Sequence, residues 1–148
     1  MKTGDSSLSD TVLATEADAI IGADSEGIIR FWNPGAERIF GYSSSDALGQ
    51  SLDIIIPERL RERHWVGYRQ VMASGTSRYG HGDILAVPGM RKDGSRVSLE
   101  FTITGLRDEH GRMNGMVAIL RDVTARFEEL SKLKQKVAEF SHSTECSS

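Results

Sequence analysis

The histidine in "PERLRERHWVGYRQVM", residues 57 to 72, stands where an imidazole can do chemistry. The stretch is a run of good helix formers behind a proline, whose missing N–H and fixed φ do no harm in a first helical turn. It predicts a helix from Pro57 to about Met72, with "ASG" as its stop. On that helix Leu60, His64, Tyr68 and Met72 recur at every fourth residue and share one face, while Arg59, Arg63 and Gln70 point elsewhere. His64 therefore faces inward. An inward imidazole is either a hydrogen-bonded core residue or a metal ligand. Other chemistry is sparse. "GADSEG" and "GHGD" lack the spacing and the strand-to-helix setting of a phosphate loop and read as turns, and no nucleophile, base and orienting group stand in a recognisable arrangement. Asp122, in "RDVT", is expected to pair with a nearby charge or to cap the segment after it.

Composition narrows the classes. The chain has 148 residues, 39% of them hydrophobic and 26% charged, which fits one ordinary domain with a real core. A net charge of -3 offers no global attraction to nucleic acid, so no nucleic-acid partner is expected, and Arg59 to Arg63 read as a solvated helix face. The single cysteine, Cys146, excludes an internal disulfide and a cysteine-based metal site. "MKTGDSSLSD" has no apolar core for a signal peptide, and no run approaches the roughly 20 apolar residues that cross a bilayer. A cytoplasmic protein with no membrane contact is expected.

The elements that must position His64 are marked out by turn signals. "DTVLATEADA" predicts a short helix capped by Asp10, behind a flexible segment over residues 1–10. "AIIGADSEGIIRFWN" predicts two strands joined at "DSEG", where Gly27 can take a positive φ. "PGAERIFG" and "SSSDALG" predict short helices, the first with Pro34 near its start and Gly41 at its stop, the second with a serine cap and Gly49 at its end. After the His64 helix come three strands, "GDILAVP", "SRVSLEFTITGL" and "RMNGMVAILRDV", separated by the tight turns "RKDG" and "DEHG". In the middle strand Val97, Leu99, Phe101 and Ile103 alternate with Ser98, Glu100, Thr102 and Thr104, the period of a sheet with one wet face. Trp32 and Trp65 read as packing residues, with Trp65 off the His64 stripe and so available to an interface. The fold class is α+β: a five-stranded antiparallel sheet with its helices gathered on one side.

In order and spacing, "GADSEGIIRFWNPGAERIFGYSSSDALGQSLDIIIPE", "RKDGSRVSLEFTI" and "GMVAILRDVT" resemble a PAS sensory domain over residues 11–124. The resemblance implies a noncatalytic sensor whose sheet and helices enclose a pocket that can hold haem, flavin, a metabolite or nothing. The flavin photochemistry of that family needs a cysteine on the helical wall, which this chain lacks, so a cysteinyl adduct is excluded while noncovalent flavin is not. The haem PAS domains of bacterial oxygen-sensing histidine kinases carry their iron-ligating histidine in a context similar to "PERLRERHWVGY", which places His64 on the ligand position for haem b. The resemblance also puts Leu99, Phe101 and Ile103 on the pocket face opposite the iron, and counts Tyr68, on the His64 helix, among the cofactor-binding residues. A five-coordinate iron needs one neutral imidazole on a rigid element, apolar walls, and cationic or polar groups for the propionates, for which Arg69 and Arg78 are candidates. One departure bears on the signal, a diatomic gas or a redox state. Where the oxygen sensors have "G, x, G, R", this chain has "GHGD", so Asp83 stands in place of the arginine that approaches oxygen. An ionised carboxylate has no proton to donate to a bound gas. His81 is the alternative donor on that strand face, or an exposed loop histidine. A cofactor-free dimerisation module is the alternative to a haem sensor.

The tail "ARFEELSKLKQKVAEF", residues 125–140, spaces Leu130, Leu133, Val137 and Phe140 by 3, 4 and 3, the rhythm of a coiled coil. It predicts a signalling helix through which the chain forms a homodimer, or else one that packs back on its own sheet. Residues 141–148 read as a disordered tail.

Overall fold

Gly27 takes a φ of +78°, which only glycine adopts without strain, and so closes the turn between the first two strands. Asp24 rigidifies that turn by accepting from the N–H groups of Glu26 and Ile28. The computed structural model describes residues 3–76 and 83–146. Along the chain run α1 (Thr3–Leu13), β1 (Ala19–Asp24), β2 (Ile29–Trp32), α2 (Pro34–Phe40), α3 (Ser44–Ala47), a 3₁₀ turn (Leu52–Ile55), α4 (Glu58–Ser74), β3 (Leu85–Met90), β4 (Arg96–Arg107), β5 (Met113–Asp122) and α5 (Thr124–Cys146). The strands form one sheet in the order β2-β1-β5-β4-β3, every neighbour antiparallel. This is the expected α+β architecture.

Register decides what the sheet shows to its helices. Ala19, Leu120, Phe101 and Leu85 are successive cross-strand partners, and Ile21, Ala118 and Ile103 form the next row on the same face. The core runs across that face from β2 to β4: Val97 is 0% and Leu99 3% exposed, packed in a cluster with Ile29, Ile39, Phe40, Ala47 and Ile55. Phe101 and Ile103, farther along β4, stay half-buried. Thr104 on the other face is exposed, as the alternation predicts.

Asn33 ties the N-terminal segment to this core. Its Oδ1 accepts from Ile20 N (2.7 Å) and caps α2 at Ala36 N (2.9 Å), while its Nδ2 reaches the carbonyls of Leu13, Thr15 and Asp18 at 3.0 to 3.1 Å. Arg38 donates to the carbonyls of Glu16 and Ala17. These bonds correct the expectation of a helix beginning at Asp10 and running through Ala19. The helix lies earlier, from Thr3, within the segment expected to be flexible, and stops at Leu13 because the carbonyls that would extend it are drawn to Asn33 and Arg38.

Two further boundaries differ. Pro57 is the N-cap of α4 and lies just outside it, and α5 continues past Phe140 to Cys146 through residues expected to be disordered. The 3₁₀ turn at Leu52–Ile55 has no counterpart among the expected elements; Ser51 caps it by accepting from Asp53 N at 3.1 Å. At the junction with α5, Asp122 accepts from Thr124 N and Oγ1 and from Arg91, doing both of the things expected of it. Burial raises its pKa, yet the Thr124 and Arg91 bonds outweigh that and hold the carboxyl below the usual range.

Candidate functional site

Helix α4 begins with good formers and stops at Gly75, whose φ of +72° lets its N–H cap the carbonyl of Val71. Its inner face carries Leu60, His64, Tyr68 and Met72, all at least half-buried, as the four-residue spacing predicts. Polar bonds along its length hold it in place. Near its start Arg61 Nε donates to the Ile56 carbonyl (3.0 Å), and past its end Arg107 of β4 donates to the Gly75 carbonyl (2.7 Å). Between them Tyr68 Oη donates to the Asp24 carbonyl at 2.5 Å. Burial, and secondarily the Asp24 charge, push the Tyr68 hydroxyl up to about 12. It therefore stays protonated and able to donate.

Trp65 is a packing residue, as expected: although off the His64 stripe, its ring lies over Gly27, where a Cβ would come within 2.1 Å of the indole. Its Nε1 donates to Asp53 Oδ1 at 2.7 Å. Nothing in the sequence singles out Asp53: it sits twelve residues away in the 3₁₀ turn, and only the fold brings the two together.

His64 lies between these aromatics, its ring 4.6 Å from Trp65 in an edge-on arrangement (77°) and 5.7 Å from Tyr68. Its Nδ1 is buried and has no hydrogen-bond partner among the described residues. Desolvation pushes its pKa below the usual imidazole value, against an opposing pull from the Asp53 charge, so the neutral form is favoured. A buried nitrogen without a partner forgoes the bond that core histidines normally make. An iron ligand requires a neutral imidazole with a free nitrogen lone pair.

The other expected site residues are less uniformly placed. Leu99 belongs to the core, leaving Phe101 and Ile103 as the expected strand residues with surface to offer. Arg69 is exposed on α4, and Asp83 is exposed just ahead of β3. Arg78 and His81 lie outside the described residues. Among the described residues no three His, Cys, Asp or Glu side chains cluster as a metal cage. A porphyrin iron needs only one protein ligand together with apolar walls, and His64, Phe101 and Ile103 fit that group in kind.

The family model described as "PAS domain" matches residues 17–125. Sensor protein FixL of Bradyrhizobium diazoefficiens is 31% identical over 134 residues, covering 89% of this chain and 26% of the relative. Oxygen sensor protein DosP of Escherichia coli is 26% identical over 114 residues, 77% of this chain and 14% of that protein. The chain thus spans about a quarter or less of the length of these relatives. Among solved structures, the PAS domain of a Colwellia psychrerythraea protein superposes with a TM-score of 0.70 at 24% identity, covering 82% of this chain and 98% of that one. An RNA-binding light-oxygen-voltage receptor gives 0.68 at 24% identity, covering 90% and 37%.

Proposed function

The chain belongs to the PAS domain family, and from that premise we propose that this sensory module of signal transduction binds haem b through His64 and reports a diatomic gas or a redox state. The observation that carries the proposal is the inward-facing, half-buried imidazole of His64 on α4, which burial holds in the neutral form that can ligate iron. The half-buried Phe101 and Ile103 supply apolar wall, and two relatives named as FixL and oxygen sensor DosP lend support. In this reading the iron supplies the gas-binding or redox chemistry. The protein holds a neutral imidazole on a helix fastened at both ends, and Arg69 and Arg78 are candidates for the propionates. Asp83, with no proton to give, does not favour tight oxygen binding, and His81 is the candidate donor to a bound gas. The module itself is noncatalytic.

Titration of the purified chain with haemin, followed by absorption spectroscopy, tests the reading. A Soret band saturating at one haem per chain is expected, lost in His64→Ala while the circular dichroism stays that of a folded domain. Unchanged uptake by that variant would remove His64 as ligand. A flavin spectrum in the protein as isolated would favour a noncovalent flavin pocket.

A second observation concerns output. On α5, Phe127, Leu130, Leu133, Val137 and Phe140 are each between 50% and 74% exposed, so their own sheet does not cover them. We read this stripe as the contact of a homodimer that carries the signal toward an output domain in the cytoplasm. No helix among the described residues is long and apolar enough to cross a membrane. Removing residues 126–148 should turn a dimer into a monomer with little loss of thermal stability, as light scattering over a concentration series would show. A full-length monomer at high concentration would end this reading. It would leave the haem reading intact but exclude the cofactor-free dimerisation module.

A further inference from the structure

The usual device for orienting a ligand imidazole is a hydrogen bond to its second ring nitrogen from a carboxylate, a carbonyl or water. His64 lacks it: its Nδ1 is buried without a partner. The carboxylate whose charge reaches His64, that of Asp53, instead takes the indole N–H of Trp65 at 2.7 Å. Trp65 is the neighbour that His64 touches most closely among the aromatics, at 4.6 Å and edge-on, against 5.7 Å for Tyr68. The indole itself has little freedom. Gly27 forms a floor that admits no side chain beneath it, the Tyr68 ring stands 5.5 Å away at 72°, and the Asp53 bond fixes its remaining degree of rotation. Tyr68 is held in turn by the Asp24 carbonyl in the turn that also contains Gly27.

The geometry points to Trp65 as the positioning residue for His64, with Asp53 holding its indole, so that the imidazole plane is set by aromatic packing and not by a hydrogen bond. The consequence for haem rests on the reading of His64 as ligand; the effect on the His64 ring does not. An imidazole oriented this way keeps its direction while lacking the basicity that a hydrogen-bonded Nδ1 confers. It also ties the ligand to the β1–β2 turn, because Trp65 and Tyr68 both rest there.

The test uses the full chain, histidine-labelled for NMR, with Trp65→Phe, Asp53→Ala and Asp53→Asn. In the protein without haem, side-chain couplings of His64 should report one rotamer in the wild type and an averaged set in Asp53→Ala and Trp65→Phe, both of which cut the indole bond. Asp53→Asn should restore the wild-type pattern, since its amide oxygen still accepts from the indole. Haemin affinity should follow the same order, falling about 10-fold in the two disrupted variants, the lower end of what loss of an outer-shell partner costs. A single His64 rotamer retained in both Asp53→Ala and Trp65→Phe would overturn the inference, as would averaging in Asp53→Asn equal to that in Asp53→Ala. If haemin binding survives His64→Ala, the ligand reading fails while the rotamer result still decides the role of Trp65. Asp53→Ala, changed in a half-buried turn outside α4, keeps the test usable should Trp65→Phe fold poorly.

Discussion

The two ends of the inner row of β4 are treated oppositely. At its start Val97 and Leu99 lie in the core cluster with Ile39, Phe40 and Ala47 of α2 and α3, and the buried polar residue that caps α2, Asn33 at 2% exposed, has partners for both its oxygen and its nitrogen. Farther along, Phe101 and Ile103 stay half-buried, and the buried polar atom contributed by α4, His64 Nδ1, has no partner among the described residues. A saturated polar residue in a sealed core specifies a fold. An unsaturated one costs stability, and folds retain such an atom where function and not stability has set the structure. The contrast separates a part of the domain that holds the fold from the part that the proposed function assigns to sensing.

Breaking the saturated end should have the largest effect. Asn33→Ala would strand the Ile20 and Ala36 N–H groups and three carbonyls, a loss on the order of 3 to 5 kcal/mol in urea denaturation. A loss under about 1 kcal/mol would mean that water replaces the side chain readily and that Asn33 is no anchor. The next effect compares neighbours on one strand. Leu99→Ala, in the sealed core, should cost about 3 kcal/mol, whereas Phe101→Ala, half-buried, should cost clearly less despite removing a larger side chain, and should weaken haemin binding instead. Equal losses, with haemin affinity unchanged, would erase the distinction between the two ends.

The smallest expected change is at the unsaturated atom. His64→Leu removes a buried nitrogen that forms no bond, so stability at neutral pH should change by less than about 1 kcal/mol. Its pH dependence should change more visibly. Because burial lowers the His64 pKa in the folded state, the unfolded chain binds the proton more readily. Wild-type stability from this residue is therefore present above about 6.5, the ordinary imidazole value, and declines as pH falls below it. In His64→Leu that contribution to the decline should vanish. An unaltered acid limb in paired denaturation series would show that the imidazole is already solvated.

Much of the architecture is legible in the sequence because its causes are local. The turns at "DSEG", "RKDG" and "DEHG", the alternation along β4 and the four-residue spacing on α4 each act within a few residues, so the five-stranded α+β sheet and the inward face of His64 can be read without coordinates. The first helix is misplaced by sequence alone for the complementary reason. "DTVLATEADA" is a fair helix by propensity, but Asn33 and Arg38, from about twenty residues away, take its carbonyls. Trp65 reads as a packing residue from its type, but the stripe rule cannot see what it packs on, since only the fold brings Gly27 of the hairpin turn under the indole.

By itself, then, the amino-acid order determined the strands, the helix that carries His64 and the apolar stripe of α5, all set by periodicity and turn chemistry over one or two turns of chain. Only the tertiary structure decided that Leu99 is core while Phe101 keeps exposed surface, that Asp53 spends its oxygen on Trp65, and that His64 Nδ1 is left without a partner. Burial and hydrogen-bond satisfaction are properties of which segments meet, and segments distant in sequence meet only once the sheet has set their register and the helices have closed over it.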